Sequence, residues 1–285
     1  MSQLKNIKDR IESVQQTCKI TQAMKMVAAA KFKSASDLSV KSYDYIDKLT
    51  ELLNTLISQS EIHSIPYLLD NKNAKKEAVI VISGDRGLCG GFNSNLIKKV
   101  NDFKALKKDN VDYFFWGQKA YDFFKNKKIN IISCENGLTS KTSLIQIIKL
   151  FDSISIDYIN GVYASVHLIY TSFKSILASQ PILKQILPIK IDPDYELRKE
   201  DYYVEPNTDK ILNSLSKEVV HLTLFRSIVE SFAAEQGARM TAMDSATDNA
   251  KEVIRDLKLQ YNRGRQAQIT TELSEIVAGA EALVQ

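Results

Sequence analysis

The prolines of this 285-residue chain are confined to its middle, between Pro66 and Pro206, and its first glycine is Gly84. Proline removes a helix hydrogen bond and clashes with the preceding turn, and glycine weakens a helix. The 65 residues before Pro66 and the 79 after Pro206 therefore contain no proline. At about 1.5 Å per residue, these segments permit helices of roughly 95 Å and 115 Å. Helices of that length favour a mechanical or scaffolding role over a pocket enzyme.

Apolar residues recur at coiled-coil spacing in both terminal segments. In the first, the seam positions from residue 4 to residue 21 are spaced 3-4-3-4-3 along the chain. At Met24 the apolar stripe that they form rotates around the helix. In the second, 11 of the 14 heptad positions within residues 212–257 are apolar, and the exceptions are Arg226, Gln236 and Thr247. Because neither stripe can be buried alone, we expect the two helices to pack antiparallel. Equal rise per residue puts Met24 opposite about position 241 and leaves about 20 carboxy-terminal residues unpaired.

The middle of the chain alternates strand-sized apolar runs with helix-length spacers. The runs are residues 78–83, 111–116, 129–133 and 165–173, and residues 180–191 are suited to an edge strand. This pattern predicts a Rossmann-like βαβ domain with a mainly parallel sheet. The predicted fold class is thus α/β with long helices, an antiparallel coiled coil joined to that domain. The predicted domains are residues 1–60, 75–200 and 207–285, the first pairing with the last.

The composition of the chain argues against a membrane-spanning protein, a secreted protein and a metal-dependent enzyme. The longest apolar runs are strand-sized, well below the ~20 residues of a transmembrane helix. The amino terminus mixes acidic and basic residues, so we expect neither a signal nor a transit peptide. The three cysteines and three histidines are scattered without metal spacing. We therefore expect no catalytic residues, no metal and no cofactor, and a reducing compartment.

Glycines cluster in SGDRGLCGGFN, residues 83–93, directly after the first predicted strand. A phosphate-binding loop would occupy this place in a nucleotide-binding fold. The glycine spacing is not G-x-G-x-x-G, however, and no Lys-Ser or Lys-Thr pair follows. A tight turn with several residues at positive φ accounts for the glycines without a ligand.

Basic residues dominate the amino-terminal helix. Residues 1–35 carry seven basic and two acidic side chains, a local balance of +5. This charge favours an acidic partner surface, although a solvated helix face or nucleic acid would also explain it. No aromatic residue interleaves these charges before Phe32, which argues against nucleic acid.

Four stretches of the chain closely resemble the gamma subunit of the rotary ATP synthase, of bacterial type. They are TQAMKMVAAAKF (21–32), GDRGLCGGFN (84–93), ESFAAEQGARMTAMDSATDNA (230–250) and YNRGRQAQITTELSEIVAGA (261–280). The resemblance covers both ends and the central loop in the right order, whereas residues 98–199 match only in pattern.

The resemblance implies a rotor in the central stalk. Its coiled coil would stand inside a ring of three alpha and three beta subunits, and its globular domain would sit on the membrane c-subunit ring with the epsilon subunit. The chain would transmit torque between proton flow and ATP synthesis or hydrolysis without binding nucleotide itself. It would be a non-catalytic, peripheral subunit on the cytoplasmic face of the bacterial inner membrane.

The resemblance also implies roles for individual residues. Met24, Lys25 and Arg239 should contact the acidic lever loop of beta. Further contacts to beta, near the carboxy-terminal end, are expected from Arg265, Gln266, Thr270 and Glu272. Tyr202 and Glu205 should meet the proton ring and epsilon. Gly264 lies inside the last helix where bulkier residues are expected, costing about 1 kcal/mol of helix stability relative to alanine, which would make the tail more pliant.

Two other classes of protein remain as alternatives. A Rossmann-like nucleotide-binding enzyme with helical dimerisation arms would bind a nucleotide or dinucleotide tightly. A coiled-coil nucleic-acid scaffold would show steeply salt-dependent binding by its basic helix.

Overall fold

The chain forms two compact units in the computed structural model, one of residues 1–28 with 239–285 and one of residues 29–238. The described residues are 2–58, 65–107, 110–173, 175, 178–190, 204–205 and 207–284. Two helices contribute to both units, α1 (Ser2–Ser58) and α5 (Thr208–Val284). The long helices expected from the distribution of proline and glycine are therefore confirmed.

The carboxy-terminal helix begins at a side-chain cap. The Asn207 Oδ1 atom accepts a hydrogen bond of 2.9 Å from the backbone N–H of Lys210, which satisfies one of the free donors of the first turn. Asp209, in the same turn, adds a negative charge at the positive end of the helix dipole.

Residues 29–238 contain a five-stranded sheet with the order β3-β2-β1-β4-β5. The strands are β1 (Lys76–Ile82), β2 (Val111–Trp116), β3 (Asn130–Glu135), β4 (Tyr163–Phe173) and β5 (Ser179–Leu187). The first four are parallel, and β5 pairs antiparallel with β4 at the edge. The mainly parallel sheet and the edge strand are confirmed. Pro181 lies in that edge strand, where the missing N–H group of proline disrupts the fewest hydrogen bonds between strands.

Helices cover both faces of the sheet. They are α2 (Phe92–Lys107), α3 (Gln118–Phe124) and α4 (Leu144–Ile159), and a short 3₁₀ helix spans Pro66–Leu68. Side chains alternate along β1: Val79 and Val81 pack on α2 and α3, whereas Ile80 and Ile82 face α4 and the first part of α5. Burial of each such side chain stabilises the fold by about 1.5–3 kcal/mol.

The two long helices also meet within residues 29–238. Leu53, Leu56 and Ile57 of α1 share an apolar cluster with Leu212 and Leu215 of α5. Helix α5 thus first packs on α1 about one turn after its start. The division into residues 1–60, 75–200 and 207–285 stays a prediction.

Candidate functional site

The first unit is an antiparallel pair of helices. A Cβ atom added to Gly264 would lie 2.8 Å from Cδ2 of Leu4. The Leu4 side chain therefore packs on the bare face of Gly264, a contact that the sequence did not reveal. Its close contact gives no support to the expected pliancy.

A buried pair of hydroxyl groups lies further along the seam. The Thr247 hydroxyl is 2.8 Å from that of Thr21 and 2.7 Å from the Met243 carbonyl oxygen. Thr21 in turn donates to the Cys18 carbonyl oxygen at 3.0 Å. The polar exception at position 247 is therefore satisfied across the helix pair, as buried polar groups must be.

Lys25 forms an ion pair with Asp244 of the facing helix. Their side chains are 40% and 49% exposed. Because an ammonium group has three donors, Lys25 keeps donors for a second partner. The predicted register placed Lys25 opposite about position 240, so its observed partner Asp244 lies about one helical turn further along α5. A similar offset appears where α5 packs on α1, since the cluster with α1 includes Ile211 and Leu212, three and four residues after Thr208.

Met24 lies beside exposed apolar side chains. Ile20 and Val27, one helical turn before and after it, are 60% and 55% exposed, and residues at this spacing share a helix face. Met24 itself is half-buried. Arg239 differs, since only 8% of its surface is exposed.

The last part of α5 combines exposed polar and apolar groups. Arg265, Gln266, Thr270 and Glu272 are all exposed. The Thr270 hydroxyl donates to the Gln266 carbonyl oxygen at 3.0 Å, and Glu272 accepts from the Gln268 amide at 2.7 Å. The exposed apolar side chains between and beyond them are Ile269, Leu273, Ile276 and Val277, at 46–67%.

In the second unit, the glycine-rich loop joins β1 to α2 and is closed by Asn93. Its Oδ1 atom accepts from the Gly84 N–H at 3.1 Å, and its Nδ2 atom donates to the Arg86 carbonyl oxygen at 3.3 Å. Leu88 and Gly90 have φ of 60° and 55°. The tight turn expected from the glycines is present, but one of its two positive-φ residues is a leucine.

A carboxylate lies against the start of this loop. A Cβ atom on Gly84 would be 3.0 Å from Oε1 of Glu235, on α5. Asp85 adds a second carboxylate, which accepts the backbone N–H groups of Gln118 and Gly137 at 3.0 and 2.8 Å. The loop also carries the exposed Arg86, so carboxylates and a cation both lie at it.

The expected contacts to the proton ring fall at the edge of the described residues. Glu205 is exposed, and Tyr202 lies outside the described residues. Among the residues that the structure describes, no group of three His, Cys, Asp or Glu side chains could hold a metal ion. No helix in the described part of the chain is long and apolar enough to cross a membrane.

Sequence reasoning missed the chain's own partners for its charged residues. Asp244 pairs with Lys25, and buried Glu230 accepts from Tyr43 of α1 at 2.8 Å. One sequence feature could have revealed the Glu230 contacts: Arg226 is a charged residue at an otherwise apolar position of the heptad pattern. Arg226 lies one turn before Glu230 and bonds to it.

Comparison with known proteins agrees with this architecture. A family model described as ATP synthase matches residues 3–283. Two curated relatives are the ATP synthase gamma chain of Chlorobium phaeobacteroides, 41% identical over 99% of both chains, and that of Chlorobaculum tepidum, 40% identical over 100% of both chains. The chain therefore belongs to the family of ATP synthase gamma chains.

Solved structures share the fold at low sequence identity. The rotor of the Euglena gracilis mitochondrial ATP synthase superposes with a TM-score of 0.69 at 14% identity, covering 94% of this chain and 99% of that chain. A chain of the Tetrahymena thermophila mitochondrial central stalk and c-ring gives a TM-score of 0.60 at 21% identity, covering 80% and 99%. The combination of long terminal helices with a mainly parallel sheet is therefore shared with these chains.

Proposed function

We propose that this chain is the central-stalk rotor of an ATP synthase. It transmits torque between the proton-driven c-subunit ring and the ring of three alpha and three beta subunits, so that proton flow drives ATP synthesis or hydrolysis drives pumping. The observation that carries the proposal is residues 265–277 of α5, where the apolar side chains of Ile269, Leu273, Ile276 and Val277 are exposed. Such a row of exposed apolar side chains indicates a partner that covers it.

The proposed contacts to beta divide into two groups. Met24, Lys25 and Arg239 meet the acidic lever loop, where the spare donors of Lys25 suit a carboxylate. Arg265, Gln266, Thr270 and Glu272 supply hydrogen bonds near the end of α5, where the neighbouring apolar side chains turn in an apolar sleeve. Few directional bonds suit a rotating contact, because each bond must break as the rotor turns. Tyr202 and Glu205 meet the c-subunit ring and epsilon.

The chain itself performs no catalysis in this proposal. The Asp85 carboxylate already binds the backbone N–H groups of Gln118 and Gly137, so these donors are not free for a phosphate. Nucleotide turnover belongs to the alpha and beta subunits, which the asymmetric shaft drives through different conformations in turn. The chain is peripheral, on the cytoplasmic face of a bacterial inner membrane, and needs no cofactor and no nucleic acid.

Co-expression with the alpha and beta subunits of the same organism tests the proposal. We expect one copy of this chain to co-purify with three of each and to speed ATP hydrolysis over alpha and beta alone. Truncation after Leu259 should weaken that effect. As a matched control, Leu106→Ser changes the 79%-exposed Leu106 of α2 in the other unit and should leave the rate unchanged. The rotor function is wrong if the chain migrates alone and hydrolysis is unaffected.

Nucleotide binding by the isolated chain separates the rotor from the enzyme alternative. We expect no binding of ATP or NAD by calorimetry at physiological concentrations. Tight binding of either, lost in a variant of the glycine-rich loop, would favour the Rossmann-like enzyme with helical arms.

A further inference from the structure

A buried carboxylate lies at the centre of a polar cluster within residues 29–238. Glu230, on α5, is only 2% exposed. Its Oε1 atom accepts from the Tyr43 hydroxyl at 2.8 Å and from Arg226 Nε at 2.9 Å, and Oε2 accepts from the Ser172 hydroxyl at 3.1 Å. With Asp47, these residues form what we call the Glu230 cluster.

Arg226 of α5 bonds to a carboxylate on each long helix, Glu230 on α5 and Asp47 on α1. Its Nη1 atom donates to Asp47 of α1 at 2.9 Å, and its guanidinium lies 3.7 Å from the centre of the Tyr43 ring. Burial, and then the hydrogen bond to Glu230, raise the pKa of Tyr43, which keeps its hydroxyl protonated as a donor. The carboxylate of Glu230 is thus compensated by one cation and two hydroxyl groups.

The cluster joins three elements through directional bonds. Outside it, α1 and α5 of this unit also share an exposed bond of 3.3 Å from the Tyr45 hydroxyl to Glu218. Tyr43 belongs to α1, Glu230 to α5 and Ser172 to the end of β4. Elsewhere α5 packs on the sheet through Leu224 and Ile228. Apolar contacts are non-directional and permit small rotations, whereas hydrogen bonds require a fixed geometry.

Stability alone does not explain an ion pair whose carboxylate is buried: the side chains of Glu230 and Arg226 are 2% and 26% exposed. Burying charges costs solvation energy, and apolar side chains of similar volume often give equal or greater stability. A fully bonded polar cluster instead makes its surroundings rigid. The retained charges therefore point to a requirement for fixed relative position.

We propose that the Glu230 cluster is the torsional linkage that holds the two long helices fixed to the sheet, so that torque applied to the sheet reaches the helices without angular loss. This inference rests on the proposed rotor function. Tyr43, Arg226 and Glu230 act here as positioning residues, since they are assigned no contact with nucleotide or partner subunits.

Angular fluctuation of the rotor in the assembled complex tests the linkage. The complex with three alpha and three beta subunits is fixed to glass, and a bead is attached at an exposed position of α2 through Leu106→Cys. In every protein, Cys18→Ser and Cys134→Ser remove the two half-buried competing thiols. The variance of the bead angle is measured while the rotor is paused without nucleotide. A softer linkage fluctuates through larger angles.

Two variants and one matched control are compared. Arg226→Leu with Glu230→Leu replaces the ion pair by apolar groups, and Tyr43→Phe removes one hydroxyl donor. The control, Tyr163→Phe, removes a hydroxyl that donates at 3.1 Å to buried Asp112, between β4 and β2. It deletes the same group within the sheet and leaves both long helices untouched.

We expect the double variant to raise the angular variance, Tyr43→Phe to raise it less, and the control to leave it unchanged. Thermal stability of the double variant should not fall in proportion, which separates a linkage from a merely structural role. If the double variant does not assemble, Tyr43→Phe decides. Unchanged variance in a rotating complex overturns the linkage alone, whereas a wild-type complex that does not rotate overturns the rotor function as well.

Discussion

Replacing Gly117 with alanine tests how the carboxyl end of the sheet is held together. Gly117 lies between β2 and α3 with φ of 124° and ψ of 139°. A Cβ atom there would lie 2.1 Å from the Ser83 carbonyl oxygen and 2.6 Å from its carbonyl carbon. Because these atoms belong to the backbone that follows β1, no side-chain rotation can relieve the clash.

The cost follows from the contacts that must separate. The backbone N–H of Ser83 donates to the Trp116 carbonyl at 2.8 Å, and that of Gly117 donates to the Glu135 carbonyl at 2.7 Å. Loss of both bonds costs about 2 kcal/mol, and the unusual backbone conformation costs about 1–3 kcal/mol for a residue with a Cβ. The sum of about 3–5 kcal/mol is a large part of the 5–15 kcal/mol that typically stabilises a native protein.

Urea unfolding followed by tryptophan fluorescence measures this loss. Trp116 is the single tryptophan, is 1% exposed and precedes Gly117, so its emission reports on the affected part of the sheet. Gly161→Ala is the matched control, because Gly161 has φ of 76° with no atom within 4 Å of an added Cβ. It should lose only the backbone cost of about 1–2 kcal/mol. Equal losses in the two variants would refute the clash argument.

Three further predictions concern surface charge, pH and backbone strain. Lys25→Gln and Asp244→Asn should each change the unfolding free energy by less than about 1 kcal/mol, because the pair is half exposed. The two changes should shift the salt dependence of ATP hydrolysis by the complex in opposite directions, and the same shift in both would contradict a contact of Lys25 with an acidic loop. Burial lowers the pKa of His167 and His221, so the unfolded chain binds protons first as the pH falls below about 6.5. The unfolding free energy should therefore be constant between about pH 7 and 9 and fall below about pH 6.5, and His167→Gln with His221→Gln should reduce the fall measured by urea midpoints. Leu88→Gly should stabilise the chain by about 1 kcal/mol in the same assay, because Leu88 has φ of 60° and is 64% exposed, and a destabilised variant would show that the side chain packs.

The sequence was sufficient where one local property decided the structure. The absence of proline and of early glycine predicted α1 and α5, because a helix needs only its own backbone bonds. The run at residues 111–116 predicted β2 without error in its bounds, since a strand buried on both faces is largely apolar, and Asp112 is its one charged residue. Pro181 indicated the edge strand for a similar local reason.

The polar pairs could not be predicted from the sequence, because their partners are distant along the chain. Tyr43 and Glu230 are 187 residues apart, and Lys25 and Asp244 are 219 apart. Finding either pair requires the register of the two helices. Equal rise per residue gives that register only to about one turn when the starting contact is uncertain. An error of one turn changes which charged side chains face each other.

The polar exceptions in the heptad pattern carry the missing information. Arg226 bonds to Asp47 and Glu230 in one unit, and Thr247 meets Thr21 in the other. An apolar seam alone tolerates a slip by one heptad, since each apolar side chain finds an equivalent neighbour. A buried polar residue does not, because a slip leaves its group without a partner at a cost of about 1–3 kcal/mol. A single polar seam position can specify register in coiled coils for the same reason. In a chain that transmits rotation, such a fixed register also sets the angle at which its contact residues face their partners.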